Sequence, residues 1–177
     1  TSSYREMEEA DVVVLWGSNA RETHPIFFHH VLKAINRGAK LFVIDPRRTE
    51  LAALADVHLQ LLPGTDVALY STMLNHILQS GLENREFIRT RTREFEQVRA
   101  AVAPYTLEVG QKLTGVPAEK IRLAAELYAR GPSTSTLWAM GLTQHATGTD
   151  IVASLLNLLL ACGMIGRWGA AMLPIRG

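Results

Sequence analysis

The distribution of hydrophobic residues in the first third of the chain predicts short strands that are buried on both faces. Residues 11–16 form a β-branched, apolar run without alternation, which is typical of a strand inside a parallel sheet. A similar run at residues 40–44 ends at Asp45. Residues 57–61 alternate between apolar and polar side chains, which predicts a third strand.

The first two predicted strands are joined by a helix. Apolar residues at positions 31, 32 and 35 recur at helical spacing. Pro25 suits the first helical position, where a missing N–H loses no hydrogen bond, and Gly38 suits the left-handed residue that ends a helix. Strand, helix and strand together predict a βαβ unit with the usual right-handed crossover.

The rest of the chain predicts further helices and one more strand. A helix is expected at about 66–80, and residues 83–131 have the charged, interrupted pattern of several short helices. Residues 135–139 predict a strand, and a last helix is expected at about 149–161. We therefore predict an α/β fold, doubly wound around a mostly parallel, Rossmann-like sheet, with an inserted helical segment. All of it is expected to form a single domain, residues 1–177.

Composition and charge exclude several classes of protein. Hydrophobic residues make up 47% of the 177 residues and charged ones 20%, which is enough for one packed core and unlike a disordered chain. A formal charge of +1 provides no general attraction for nucleic acid or anionic membranes. The longest apolar tract, residues 151–165, is shorter than the roughly 20 residues of a spanning helix and includes Asn157. No secretory signal is recognisable either. Charge, apolar tract and missing signal together predict a soluble, cytoplasmic protein without a membrane span or a nucleic-acid partner.

The cysteine and histidine content predicts no metal site within the chain. Cys162 is the only cysteine, so it forms neither an internal disulfide nor a multi-cysteine site, and its apolar neighbours suggest a buried thiol. His29 and His30 are adjacent, whereas paired helical ligands are normally three or four residues apart.

Candidate binding residues follow the predicted strands. In an open α/β sheet, ligands bind beyond the carboxyl ends of the strands, near the point where the strand order reverses. The segments in question are Gly17-Ser18-Asn19, Asp45 to Arg48, Pro63 to Asp66 and Met140 to His145.

The segment Gly17-Ser18-Asn19 has two interpretations. Gly17 allows a phosphate to approach the backbone at a helix start, and Ser18 and Asn19 add side-chain donors. The same residues are also common in a simple tight turn. Neither the three-glycine fingerprint of NAD-binding proteins nor the P-loop pattern is present in the sequence.

Asp45 is a candidate for binding a ribose. It lies 28 positions after Gly17, not far from the offset of roughly 20 at which an acidic residue meets a ribose hydroxyl in nucleotide-binding βαβ folds. Arg47 or Arg48 can then reach a phosphate. The alternative is a turn aspartate followed by two solvated arginines.

Asp66, which follows Gly64 and Thr65, has two competing roles. As a helix N-cap or first-turn residue it would satisfy free backbone N–H groups. Its carboxylate is also able to accept two hydrogen bonds from guanine, whose N1–H and exocyclic amine form a donor pair that adenine lacks. In that case Thr65 is expected to take over the capping.

Together these segments resemble the molybdopterin oxidoreductase family, and most closely its formate dehydrogenase branch. The resemblance covers essentially the whole chain, and the matching segments are Leu15 to Asn19, His24-Pro25, Ile44 to Arg47, Pro63 to Asp66, Leu137 to His145, Gly163 to Arg167 and Pro174 to Gly177. It implies a complete subunit that binds two molybdopterin guanine dinucleotides (bis-MGD) around one molybdenum or tungsten ion, with an iron-sulfur cluster of the 4Fe-4S type nearby. Such an oxidoreductase oxidises formate to carbon dioxide with transfer of two electrons.

The resemblance also implies roles for single residues. Those expected to hold one dinucleotide are Gly17, Ser18 and Asn19 near the pyrophosphate, Asp45 and Arg47 near the ribose and phosphate, Asp66 with the neighbouring Gly64 at guanine, and Met140, Gly141 and Gln144 at the pterin. Arg176 matches the family's active-site arginine, whose guanidinium orients formate beside the metal, so it is the expected catalytic residue.

The resemblance places the remaining machinery outside this sequence. The cysteine or selenocysteine that ligates the metal, and the cysteines of the cluster, lie upstream in the family. The chain has no initiating Met and ends at Gly177 in a loop-like segment, so we expect a piece of a longer subunit that is inactive by itself. Its expected partners are formate, the remaining domains of the same subunit and electron-transfer subunits.

Two other functions stay open at this point. One is the same domain of another family member, such as a nitrate reductase, although residues 140–145 and 174–177 argue for formate. The other is a freestanding guanine-nucleotide-binding module without a redox role.

Overall fold

A computed structural model describes residues 2–175 of the chain, which fall into two compact units. The first unit consists of residues up to 60, residues 131–145 and residues from 164 onward, and the second of residues 61–130 and 146–163. Along the chain, the elements of the described residues are the 3₁₀ helix Tyr4–Glu9, β1 (Val12–Trp16), α1 (Ala20–Thr23), α2 (Pro25–Asn36), β2 (Lys40–Ile44), α3 (Glu50–Leu54), β3 (Val57–Leu59), α4 (Asp66–Gln79), α5 (Arg85–Arg91), α6 (Phe95–Val102), α7 (Leu107–Thr114), α8 (Ala118–Arg130), β4 (Thr134–Trp138), α9 (Met140–Thr143), α10 (Gly148–Cys162) and β5 (Met172–Pro174).

The first unit is built on a parallel sheet whose described strands have the order β3-β2-β1-β4-β5. β1 lies between β2 and β4, and Val12 is in register with Lys40 on one side and Thr134 on the other. The chain runs outward from β1 to β3 and then crosses to β4, so the strand order reverses between β1 and β4. The parallel sheet and the helices that connect its strands confirm the predicted doubly wound α/β fold.

The hydrophobic pattern explains how α2 packs in this unit. Its buried residues recur at helical spacing and form one apolar stripe: Phe27, Phe28, Val31 and Ala34. They join a core cluster with alternate residues of β1 and β2: Val13, Leu15, Leu41 and Val43. All five residues of β1 are buried, as its uninterrupted apolar run predicts.

β4 is a buried strand with a polar sequence, and Ser135 uses its hydroxyl to attach the segment that leads into β5. Ser135 Oγ donates a hydrogen bond to the Gly169 carbonyl (2.7 Å) and accepts one from the Ala171 N–H (3.0 Å). Ser135 is fully buried, so a protein partner replaces the water that its hydroxyl loses on folding.

Replacing Ser135 by alanine is expected to lower the free energy of unfolding by about 1–3 kcal/mol, because the buried Ala171 N–H loses its hydrogen-bond acceptor. Urea denaturation of the variant measures this loss. Ser154→Ala, at a half-buried helical position, is the control and is expected to stay within about 0.5 kcal/mol of the parent chain. An unchanged unfolding midpoint for Ser135→Ala would show that the two hydrogen bonds contribute nothing.

The second unit is helical and extends beyond the segment 83–131 that we predicted as an insertion, since it also includes α4 and α10. α4 contacts α6, α7, α8 and α10. At the contact with α7, a Cβ atom on Gly110 would overlap the side chain of Thr72, so glycine lets these two helices approach closely. Whether the two units act as the single domain that we predicted stays a prediction.

Three details differ from the sequence-based expectations. β3 ends at Leu59 rather than at residue 61, because its pairing with β2 covers only Val57 to Leu59. β5 was not predicted, and β4 spans Thr134 to Trp138 rather than residues 135–139. The several short helices expected in residues 83–131 are present as α5 to α8. Within residues 2–175, no helix has the length and apolar content needed to cross a lipid bilayer.

Candidate functional site

The carboxyl ends of β1 and β4 are joined through two glycines. The Gly141 N–H donates to the Gly17 carbonyl at 3.1 Å, and the Gly17 N–H donates to the carbonyl of Ile44 at the end of β2 at 2.9 Å. Gly17 has a positive φ of 56°, which favours glycine. A Cβ atom on Gly141 would overlap the Gly17 carbonyl oxygen, and one on Gly17 would lie 2.6 Å from Leu142 Cδ1. The two loops therefore meet at the point where the strand order reverses, which is where ligands of such sheets bind.

Ser18 places an unpaired hydroxyl beside this contact. The residue is 3% exposed, and its Oγ atom has no hydrogen-bond partner in the described part of the chain. Leaving a buried hydroxyl unpaired costs about 1–3 kcal/mol. Asn19, the next residue, occupies the N-cap position of α1, and its side chain forms no capping bond within residues 2–175. The Ser18 hydroxyl therefore lacks a partner in that part of the chain, and the Asn19 side chain is not used for capping.

Asp45 follows β2 and has a buried carboxylate. Its Oδ1 atom accepts a hydrogen bond from the Arg47 backbone N–H at 2.8 Å and lies 3.8 Å from Arg47 Nε. The Arg47 side chain is 71% exposed, while that of Asp45 is only 8% exposed. The turn thus combines a fixed negative group with a cation that faces solvent.

The end of β3 holds this turn in place. His58 Nε2 lies 3.0 Å from the Asp45 carbonyl, and Gln60 Nε2 donates to the Pro46 carbonyl at 2.9 Å. A carbonyl oxygen only accepts, so His58 carries its proton on Nε2. No sequence pattern singles out His58 or Gln60, because their role depends on which carbonyls lie opposite them in the sheet.

The predicted pterin-facing residues lie at the end of β4. Met140 and Gly141 begin α9, and Gln144 follows its last residue. Met140 is 55% exposed, and the Gln144 amide contacts its sulfur at 3.2 Å. His145 Nε2 lies 2.9 Å from the Gly141 carbonyl. These residues therefore share the sheet edge that carries Gly17 and Ser18.

Gly64 and Asp66 belong to the second unit. Gly64 is exposed with a φ of 83°, and Asp66 is the buried first residue of α4, so it is a first-turn residue rather than the N-cap. Burial raises the pKa of the Tyr70 phenol well above its ordinary value, and the charge of Asp66 adds to that rise. Thr65 occupies the N-cap position, but its hydroxyl donates to the Leu62 carbonyl at 2.6 Å and forms no capping bond. Thr65 therefore takes the expected N-cap position, but without a side-chain capping bond.

The remaining candidates concern metal chemistry. Among residues 2–175, no group of three or more His, Cys, Asp or Glu side chains is able to hold a metal ion. Burial raises the pKa of the Cys162 thiol to about 12, with a further contribution from the negative charge of Glu83. Cys162 is therefore a neutral thiol in the core of the second unit. Arg176, the predicted catalytic residue, lies outside the described residues.

Comparison with known proteins gives consistent matches over the whole chain. Residues 1–174 match the family model described as molybdopterin oxidoreductase. The chain is 39% identical over 177 residues to the F420-dependent formate dehydrogenase 2 subunit alpha of Methanococcus maripaludis and covers 26% of that protein. It is 38% identical over 177 residues to formate dehydrogenase H of Escherichia coli and covers 25% of it.

Two further matches belong to proteins with other names. A nitrate reductase of Symbiobacterium thermophilum is 36% identical over 183 positions, with 97% of this chain and 24% of that protein covered. The solved structure of acetylene hydratase from Pelobacter acetylenicus matches with a TM-score of 0.80 and 28% identity, over 90% of this chain and 23% of that one. The chain thus spans about a quarter of the length of these relatives.

Proposed function

The chain belongs to the molybdopterin oxidoreductase family, and we propose that it forms part of a formate dehydrogenase in which it binds one molybdopterin guanine dinucleotide. The formate dehydrogenase assignment is supported by relatives of that name, which are 38–40% identical over the full chain. A nitrate reductase role has weaker support, from a relative of that name that is 36% identical. The fold alone does not distinguish between them, because one fold serves several reactions.

The residues at the sheet edge fit a dinucleotide. The observation that carries the proposal is the buried Ser18 hydroxyl without a partner in the described chain, next to two loops that are joined by Gly17 and Gly141. A phosphate oxygen that reaches this hydroxyl would supply the missing hydrogen bond. The ligand must displace the atoms that now cover Ser18.

Each candidate site residue of the first unit then has a defined role in binding. Ser18 and Asn19 donate to the pyrophosphate, while the buried Asp45 carboxylate accepts from a ribose hydroxyl. Arg47 places an exposed guanidinium where it neutralises a phosphate. Met140, Gly141 and Gln144 border the pterin at the end of β4.

The remaining tasks fall to other parts of the protein. Asp66 is proposed to bind guanine, with Gly64 in the preceding turn. Arg176 is proposed to hold formate, and an iron-sulfur cluster and a second dinucleotide are assigned to the rest of the subunit. When bound, the molybdenum or tungsten cofactor accepts the two electrons that formate loses as it becomes carbon dioxide. Since the iron-sulfur cluster and the protein ligand of the metal are assigned to the rest of the subunit, we expect this chain to oxidise no formate by itself. Its location in the cytoplasm also stays a prediction.

The neighbouring arginines Arg47 and Arg48 provide a matched test of the phosphate site. Arg47→Gln is expected to weaken binding of GDP about tenfold, because a charge-assisted hydrogen bond to phosphate is lost. Arg48→Gln is expected to change the affinity by less than about twofold. Of the two guanidinium groups, it is that of Arg47 that lies beside the Asp45 carboxylate, with Nε 3.8 Å from Oδ1. Isothermal titration calorimetry with GDP measures both. Equal losses in the two variants would indicate general electrostatic attraction rather than a phosphate site at Arg47.

A further inference from the structure

The segment between β1 and α2 contains a second buried polar atom without a partner. The Nε2 atom of His24 forms no hydrogen bond within the described chain, and neither does Ser18 Oγ. His24 follows the last residue of α1 and directly precedes Pro25, the first residue of α2. Buried unpaired side-chain atoms are rare in folded proteins. Two of them in one short segment therefore point to a ligand that is not part of the chain.

The hydrogen bonds of Thr23 define which nitrogen of His24 is available. The Thr23 hydroxyl lies 3.1 Å from the Asn19 carbonyl and 2.7 Å from His24 Nδ1. A hydroxyl has one proton and a carbonyl only accepts, so both contacts form together only when Thr23 donates to Asn19 and His24 Nδ1–H donates to Thr23. In the neutral ring, Nε2 then carries a lone pair and acts as an acceptor.

We propose that His24 contacts the bound nucleotide directly, with Nε2 accepting a hydrogen bond from an O–H or N–H group of the ligand. This inference rests on the proposed function. An ionised pyrophosphate has acceptors but no donors, so His24 recognises a different part of the ligand from Ser18. The ribose hydroxyls have the right chemistry, since the N1–H and the exocyclic amine of guanine are already assigned to Asp66.

Such a site predicts opposite effects on stability and on binding. An unpaired buried nitrogen destabilises the free chain, so removing it is expected to leave the melting temperature unchanged or higher. Removing it also deletes a ligand contact, so the affinity is expected to fall. A histidine with a purely structural role would show the reverse: its loss would lower the melting temperature and leave the affinity unchanged.

Two amide variants separate the two ring nitrogens. Asparagine has an amide near the position of Nδ1 and nothing at Nε2, whereas glutamine places a terminal oxygen near Nε2. His24→Asn is expected to weaken GDP binding about fivefold to tenfold, and His24→Gln to stay within about twofold of the parent chain. His24→Phe is the apolar variant, with an expected loss like that of asparagine. Calorimetry with GDP and 2′,3′-dideoxy-GDP tests the ribose hydroxyl as the donor: loss of the hydroxyls is expected to weaken binding by the parent chain more than binding by His24→Asn.

The outcomes separate this inference from the proposed function. Weaker GDP binding by the asparagine and phenylalanine variants, with an unreduced melting temperature and rescue by glutamine, is the expected result. If both variants bind GDP like the parent chain while Asp45→Asn binds it weakly, His24 does not contact the ligand and the proposed site stands. If the parent chain shows no saturable GDP binding, the proposed function and this inference both fail.

Discussion

Replacing Gly141 by alanine is expected to lower the free energy of unfolding of the first unit by about 1–3 kcal/mol and to abolish nucleotide binding at its sheet edge. The added methyl group would overlap the carbonyl oxygen and Cα of Gly17. Gly17 has little freedom to move away, because its N–H is bonded to Ile44 and its carbonyl to Gly141. The loop that carries Ser18 must therefore shift. Thermal unfolding and calorimetry with GDP measure the two effects.

Thr143→Ala is the matched control for this variant. Thr143 lies on the same short helix and is exposed. Its replacement is expected to leave stability within about 0.5 kcal/mol of the parent value and GDP affinity unchanged. A Gly141→Ala chain that binds GDP normally would show that the junction of β1 and β4 is not part of the ligand site.

Replacing Asp66 by asparagine is expected to remove most of the preference for guanine over adenine nucleotides. The neutral amide has one acceptor and no charge, so it is unable to accept two charge-assisted hydrogen bonds from N1–H and the exocyclic amine. We expect the parent chain to bind GMP roughly ten to a hundred times more tightly than AMP, since hydrogen bonds to charged groups contribute about 1.5–3 kcal/mol. Competition experiments with the two nucleotides measure the ratio.

Asp150→Asn is the control for Asp66→Asn. Both carboxylates lie in the first turn of a helix of the second unit, so both interact with the positive end of a helix dipole. Asp150 is exposed, whereas Asp66 is buried. The Asp150 variant is expected to keep the full preference for GMP. Equal binding of GMP and AMP by the parent chain would instead leave Asp66 with its first-turn role alone.

The central strands and α2 could be predicted from the sequence because their signals are local. β1 and the last four residues of β2 are uninterrupted apolar runs, and α2 has a proline at its start and an apolar stripe. β5 could not be predicted. Its three residues include Pro174, and it exists only because it pairs with β4, which is distant in sequence. Tertiary pairing, rather than intrinsic propensity, decides such short strands.

Only those residues of the candidate site that directly follow a predicted strand could be identified from the sequence. That rule identifies Gly17, Ser18 and Asp45, since each follows a buried strand. It does not reveal that Gly17 contacts Gly141. That contact brings together two loops that are far apart in sequence, so closely that no room is left for a Cβ atom on Gly141. The unpaired atoms of Ser18 and His24 were equally invisible, since burial and missing partners are properties of the folded chain.

The most direct test of the central claim is to map nucleotide binding on the chain by NMR. A titration of the ¹⁵N-labelled protein with GDP follows every backbone amide at once. We expect saturable shifts concentrated at Gly17, Ser18, Asp45, Arg47 and Gly141, because the ligand is proposed to lie across the carboxyl ends of β1, β2 and β4. Shifts that saturate elsewhere while these amides stay unmoved, or no saturable shift at all, would contradict the assignment of this sheet edge as the dinucleotide site.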